Sequence, residues 1–215
     1  MHAMTLSDGC SEVACGKIAA IVTCLSMDAR AAPRPERAAP PWLLTRIEQP
    51  QVSWYRDLYR RVGEEWLWFS RLAMAPETLE AIIRHPDVAI YALELNGRDE
   101  GLLELDFRRP PHCALAFFGL TATIRGEGAG RWLMNRAIAY AWARPIARFW
   151  VHTCTLDHPG ALEFYLRSGF RAYARQIEIV DDPRLTGLAP RTAAPQVPIL
   201  EPPRGTATHP TQSSG

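Results

Sequence analysis

The chain has 215 residues, 47% of them hydrophobic, and its 24 basic against 23 acidic side chains give a formal net charge of +1. This length predicts one domain of ordinary size with some residues to spare. The near-neutral balance excludes a general electrostatic attraction to nucleic acid, and no apolar run approaches the roughly 20 residues that span a bilayer. We therefore expect no nucleic-acid partner and no membrane insertion.

The cysteines indicate a reducing environment. Their number is odd, none forms a CxxC pair, and none has a metal-like spacing to a histidine; they are Cys10, Cys15, Cys24, Cys113 and Cys154. We therefore predict free thiols, a cytoplasmic location and no metal site.

The first forty residues predict a disordered tail. The stretch Ala29–Pro41 is rich in Ala, Pro and Arg, and nothing before it shows sustained periodicity. Two other hypotheses concern the same residues. KIAAIVTCLSMDARAA resembles a short secretion signal, although Asp8 and Glu12 conflict with its expected positive start, and Met27 could be the true initiator.

The last residues predict a second disordered tail over 181–215, because this stretch is dense in Pro, Thr, Ser and Gly. The folded domain is then expected over residues 41–180.

Apolar periodicity within that window predicts alternating strands and helices. In chain order we expect a strand at WLLTRIEQP, helices after Ser53 and from Pro76, two strands around the hairpin signal Asn96-Gly97, a strand at HCALAFFGLTA, a helix up to about Arg144, a strand at RFWVHTCT, a helix from Pro159 and a strand at FRAYARQIEIV. The order predicts an α/β fold with a mixed, mostly antiparallel central sheet and helices on both faces.

The loop RGEGAG, Arg125–Gly130, lies between a strand and a long helix. It lacks the Lys-Ser/Thr pair of a P-loop, and its glycines alternate too closely for a dinucleotide fingerprint. Its small residues let backbone amides point outward at a helix N-terminus, where the partial positive charge attracts anions. The loop therefore predicts a pyrophosphate site.

Two motifs together resemble the GCN5-related N-acetyltransferase (GNAT) superfamily. RGEGAG matches the acetyl-CoA loop [QR]xxGx[GA] through Arg125, Gly128 and Gly130. ALEFYLRSGF follows downstream and matches A..FY...GF through Ala161, Phe164, Tyr165, Gly169 and Phe170. The resemblance implies an acetyl-CoA-dependent transfer without a metal.

The resemblance also implies which residues contact acetyl-CoA. Leu120 and Ala122 fall where a splayed strand holds the pantetheine arm, and Gly119 beside them predicts a bulge. His158 stands where many members have a pantetheine-binding Asn. The remaining expected cofactor contacts are Arg125, Gly126, Glu127, Gly128, Ala129, Gly130 and Arg131.

Tyr165 falls on the family's general acid, which protonates the departing CoA thiolate. The position where some members keep a glutamate base corresponds to Ala114, so a substitute base or water is needed. Glu104 is the first candidate, because burial in a covered sheet raises a carboxyl pKa. His152, on a later strand, is the second. Either residue could also have a purely structural role.

The resemblance implies an N-acyltransferase that moves an acetyl group to the primary amine of a small molecule. Two alternatives stay open: a non-catalytic acyl-CoA-binding regulatory domain, and an acetyltransferase of protein N-termini or lysines. A homodimer is compatible with each.

An aromatic-rich stretch is expected to be mainly core, with one or two rings at the acceptor site; it contains Trp54, Tyr55, Tyr59, Trp66, Trp68 and Phe69.

Overall fold

The computed structural model describes residues 8–36 and 41–203. Within these ranges seven strands are β1 Lys17–Met27, β2 Leu43–Arg46, β3 Val88–Leu95, β4 Arg98–Arg109, β5 His112–Leu120, β6 Arg148–Cys154 and β7 Arg171–Asp181. The α-helices are α1 Val52–Gly63, α2 Pro76–Ile83, α3 Ala129–Ala141 and α4 Ala161–Arg167, and 3₁₀ turns occupy Glu64–Trp66 and Ala122–Ile124.

All seven strands form one sheet in the order β2-β3-β4-β5-β6-β1-β7. Every neighbouring pair is antiparallel except β5 and β6, which run parallel. The predicted mixed, mostly antiparallel sheet is therefore confirmed. The hairpin between β3 and β4 turns on Asn96 and Gly97, whose φ angles of 53° and 79° are those of a type I′ turn.

Helices cover both faces of the sheet. On one face α1 and α2 pack on β3 and β4, because α1 buries Tyr55, Leu58 and Val62 on one stripe. On the other face α3 packs beneath β4 and β5 and buries Leu133 and Ala137. No helix in the described ranges is long and apolar enough to cross a membrane.

The N-terminal tail predicted for residues 1–40 contains a strand, so that prediction is wrong over β1. This strand lies between β6 and β7 and pairs with both, for example Val22 with Cys154 and with Gln176. Its apolar side chains reach both faces, and Leu25 is fully buried. The Pro- and Arg-rich neighbours hid an apolar run long enough for a central strand. Residues 1–7 and 37–40 of the predicted tail lie outside the described residues.

The segment after β1 is also held in place. Arg34 donates its backbone N–H to Asn135 Oδ1 at 3.0 Å, and Asn135 Nδ2 donates back to Arg34 O at 2.8 Å. Asn135 lies on α3, so a single buried amide fastens this linker to the helix through both backbone groups.

The predicted C-terminal tail is likewise corrected over residues 182–203, here called the C-terminal segment. Buried Arg184 pairs with Asp182 and donates to the carbonyls of Ala193 and Val197, at 3.2 and 2.7 Å. Ala193 and Ala194 pack on Leu67. Satisfied carbonyls and a few apolar contacts therefore order a Pro-rich coil that composition alone predicts to be disordered. Residues 204–215 lie outside the described residues.

Candidate active site

The parallel strands β5 and β6 separate along their length. They pair over three residues, from His112 with Arg148 to Ala114 with Trp150. Beyond Ala114, β5 continues to Leu120 and stays paired with β4 alone in the described sheet. The two strands therefore open a cleft whose β5 side ends in the RGEGAG loop.

The bulge in β5 is at Ala116 and not at Gly119, where it was predicted. Glu104 pairs with Phe117 and Leu105 with Leu115, which leaves Ala116 without a partner, whereas Gly119 pairs regularly with Leu102. Gly119 is needed for space instead. A Cβ there would lie 2.3 Å from Val62 Cγ1 and 3.0 Å from Trp68 Cη2.

The glycine loop has a left-handed backbone at two of its three glycines. Gly126 and Gly128 have φ angles of 89° and 96°, in the left-handed region that favours glycine, and no atom lies within 4 Å of a Cβ built at either. Thr121 anchors the loop start, since its N–H donates to Glu100 O at 2.9 Å and its hydroxyl to Glu100 Oε2 at 2.5 Å. The loop therefore presents an open, exposed backbone on a fixed base.

The start of α3 supplies free donors. Trp132 N–H makes the first bond of the helix, to Gly128 O at 3.1 Å. The amides of Ala129, Gly130 and Arg131 thus precede the hydrogen-bonded helix, as the first N–H groups of any helix do. Together with the open loop they fit a pyrophosphate group.

Arg125 turns toward the α1–α2 connection. Its guanidinium pairs with Glu65 and lies 5.5 Å from the centre of the Trp66 ring. Leu120 and Phe164 lie 3.7 Å from a Cβ built on Gly130, whereas Ala122 and Glu127 are exposed. The structure thus brings the strand end, the loop and the second motif together.

Tyr165 lies in an aromatic cluster beside the cleft. Its ring centre is 6.4 Å from that of Phe118 on the separated part of β5 and 5.9 Å from that of Phe170. Burial raises the pKa of Tyr165 well above its ordinary value, and the negative charge of Asp157 adds to the rise. The phenol therefore keeps its proton at neutral pH, as a proton donor must.

Glu104 is fully buried and held by two partners. Tyr55 Oη donates to Glu104 Oε2 at 2.5 Å, and Arg71 forms an ion pair with Oε1. Burial raises the pKa of Glu104, while Arg71 and Tyr55 act against the rise. These contacts support a structural role, because both carboxylate oxygens are already engaged.

The two histidines occupy different surroundings. His152 is exposed on β6, where it pairs with Cys24 of β1 and stacks beside Trp150 at 6.3 Å. His158 is exposed in the β6–α4 turn, 5.3 Å from the Trp66 ring. His158 thus adjoins the same tryptophan as Arg125, whereas His152 lies on an exposed part of β6.

Asp157 was missed by sequence reasoning. Its Oδ2 accepts hydrogen bonds from Thr153 Oγ1 at 2.7 Å and from Cys154 N–H at 2.9 Å, and its Oδ1 accepts from Trp68 Nε1 at 3.1 Å. Its position just after an apolar strand and before a helix-starting proline was the available signal.

Among the described residues no group of three or more His, Cys, Asp or Glu side chains is arranged to hold a metal.

Comparison with known families identifies the class. The model of the acetyltransferase (GNAT) family matches residues 49–170, which is more than half of the chain. The protein therefore belongs to the GNAT acetyltransferase family. The matched range contains every predicted site residue and leaves β1, β2 and β7 outside. No functionally curated protein matches the sequence.

Solved structures share the fold at low sequence identity. A GCN5-related N-acetyltransferase from Sphaerobacter thermophilus has a TM-score of 0.55 at 11% identity, covering 75% of this chain and 51% of its own. A conserved protein of unknown function from Staphylococcus epidermidis has 0.53 at 11%, covering 78% and 63%. A protein assigned to the GNAT family from Novosphingobium aromaticivorans has 0.50 at 17%, covering 75% and 65%. This chain thus spans less than two thirds of each, and the likeness establishes the fold alone.

Proposed function

We propose that the protein transfers an acetyl group from acetyl-CoA to the primary amine of a small molecule. The proposal rests on one observation: the open glycine loop, the free amides at the start of α3 and the opening between β5 and β6 lie next to one another. Family membership supports the reaction class, and the glycines with φ near 90° support a ligand that approaches the backbone closely.

In the proposed binding mode, the amides of Gly126 to Arg131 hold the pyrophosphate and Arg125 adds a positive charge. The pantetheine arm lies along Leu120 and Ala122 with His158 on the other side. Acetyl-CoA supplies the activated thioester. Backbone N–H groups of the part of β5 that is separated from β6 stabilise the oxyanion that forms during the attack.

The chemical step is a direct transfer. The neutral amine forms a bond to the thioester carbon, the carbon–sulfur bond breaks, and the departing thiolate takes a proton from Tyr165. The nitrogen of the new amide loses its extra proton to solvent, and solvent returns a proton to the Tyr165 phenolate. Glu104 and His152 stay predictions for the base. The contacts of Glu104 and the exposure of His152 lead us to assign deprotonation of the ammonium group to solvent.

The decisive test is ligand binding followed by turnover. A ligand at a hundred times its dissociation constant stabilises the folded state by about 2.7 kcal/mol, which raises Tm by roughly 5–11 °C for a chain of this size. We expect this rise with CoA and acetyl-CoA but not with NAD. No rise with any CoA ester would overturn the proposal.

Turnover separates the enzyme from the alternative of a regulatory domain. CoA release with an amine panel should occur in the wild type and fall at least tenfold in Tyr165→Phe, since an acid contributes about 10²–10⁴ in rate, while CoA affinity stays unchanged. Tight CoA binding without release for any amine would favour the regulatory domain. The cytoplasmic location and the homodimer stay predictions.

A further inference from the structure

A cavity of about 590 Å³ lies between the α1–α2 connection, the β6–α4 turn and the C-terminal segment. Its charged lining residues are all acidic: Glu64, Glu65 and Asp157. Trp66 provides an aromatic wall, and apolar surface comes from Leu156, Ala193, Ala194 and Val197. No lysine, arginine or histidine is among its described lining residues.

We propose that this cavity is the acceptor site, and that it takes a protonated amine attached to a compact apolar group. The inference rests on the proposed function, because it names the substrate class of the same enzyme. Carboxylates and an aromatic face attract an ammonium group, the apolar wall accommodates a hydrocarbon body, and the volume lies within the usual range for small-molecule sites.

The cavity adjoins the cofactor loop through one ion pair. Glu65 lines the cavity and holds Arg125, the leading residue of the glycine loop. A pyrophosphate on the loop competes with Glu65 for that guanidinium, because both are anions. Bound CoA therefore leaves more of the charge of Glu65 to an amine in the cavity, and the two ligands bind cooperatively.

The second wall of the cavity depends on Arg184. This side chain is 1% exposed, and its guanidinium donates to Asp182 and to three carbonyls of the turn that faces Trp66. A lysine has no planar fork to reach those acceptors together. Arg184 is thus a positioning residue that fixes where Ala193 and Val197 meet the substrate.

The sharpest test introduces a positive charge in one variant and a negative charge in another at Gln196. This exposed residue lines the cavity, and its Nε2 lies 3.5 Å from Glu65 O. The probes are 2-phenylethylamine and phenylalanine, which differ by a carboxylate, titrated calorimetrically with and without CoA. We expect 2-phenylethylamine to bind more tightly than phenylalanine by at least about tenfold, and to bind more tightly with CoA present.

Gln196→Arg should weaken 2-phenylethylamine binding by about tenfold and Gln196→Glu should strengthen it, both less so in 1 M salt. Thr78→Arg, on the exposed surface of α2, is the control for added charge and should change nothing. Equal binding of both probes, identical behaviour of the two Gln196 variants, or no 2-phenylethylamine binding up to about 10 mM would each overturn the inference.

The CoA affinity, measured in the same titrations, keeps the two proposals apart. If CoA binds normally but the Gln196 variants bind 2-phenylethylamine as the wild type does, only the acceptor site is refuted. If CoA does not bind, the proposed function itself is refuted. Arg184→Lys should raise the amine KM and leave the CoA affinity unchanged, and the Gln196 pair stays decisive if that variant fails to fold.

Discussion

The indole N–H of Trp68 donates a 3.1 Å hydrogen bond to Asp157 Oδ1, and so joins the α1–α2 connection to the end of β6. The same indole lies against Gly119 of β5, where a Cβ would be 3.0 Å from Trp68 Cη2. One side chain therefore spans the opening between the two separated strands. The width of the cleft on this face depends on that contact.

A double-mutant cycle on this pair should show direct coupling. Trp68→Phe keeps an aromatic ring and loses the donor, and Asp157→Ala removes the acceptor. We expect the cost of Trp68→Phe in the free energy of unfolding to be smaller by about 1 kcal/mol when Asp157 is already absent. Urea unfolding of the four proteins gives this value, and strictly additive costs would contradict the coupling.

Glu104→Gln should destabilise the protein by about 3–5 kcal/mol, because it leaves the Arg71 guanidinium buried without its counterion. The double variant Glu104→Met with Arg71→Met should be less damaging than the two single costs combined. Chemical denaturation tests both statements. A stable Glu104→Gln protein that is inactive at neutral pH and recovers at high pH would instead identify Glu104 as the base.

Gly128→Ala should weaken CoA binding as well as stability. A non-glycine residue with positive φ costs roughly 1–2 kcal/mol, and the change in the loop backbone misdirects its amides. Gly97→Ala is the matched control, because Gly97 has a φ of 79° and open surroundings but lies in the β3–β4 hairpin. Equal CoA affinity in the two variants would argue against the loop as the cofactor site.

The ion pair in the C-terminal segment should make stability depend on acid pH. Hydrogen bonds from Arg184 hold the pKa of Asp182 below its ordinary value of 3.8. A carboxyl group whose pKa is lower in the folded than in the unfolded protein stabilises the fold fully at pH values above its unfolded-state pKa. That stabilisation is lost as the pH falls through the folded-state pKa.

Asp182→Asn should therefore cost about 2 kcal/mol near neutrality, as expected for charge-assisted bonds. This difference from the wild type should be constant above about pH 5 and shrink below pH 3.8. Denaturation across a pH series measures it, and a difference that grows toward acid would show that the sign is wrong.

A chain shortened to begin at Met27 should fail to fold. The truncation removes nearly all of β1, which pairs with β6 along one edge and with β7 along the other. Removal of residues 1–12 is the control, since it leaves every β1 pair in place. Soluble yield and thermal unfolding distinguish the two, and a stable, cooperatively melting Met27 product would refute the importance of β1.

Local signals predicted much of this molecule. Asn96-Gly97 and the glycine loop specify backbone shapes that depend on neighbouring residues alone, so sequence sufficed for both. β1 depends on partners more than 100 residues away, such as Cys154 for Val22, and the C-terminal segment depends on one buried Arg184 side chain and on packing against the distant Leu67, none of which local composition reveals. The Trp68–Asp157 bond and the cavity were hidden for the same reason, because each joins separate loops.

The central position of β1 also affects how the protein is made. Val22 leaves the ribosome 132 residues before its partner Cys154, which at roughly 5–20 residues per second is a delay on the order of ten seconds. During that time an apolar strand has neither of its neighbours and can pair with other chains. Chaperone demand during synthesis should therefore exceed what the stability of the finished fold suggests.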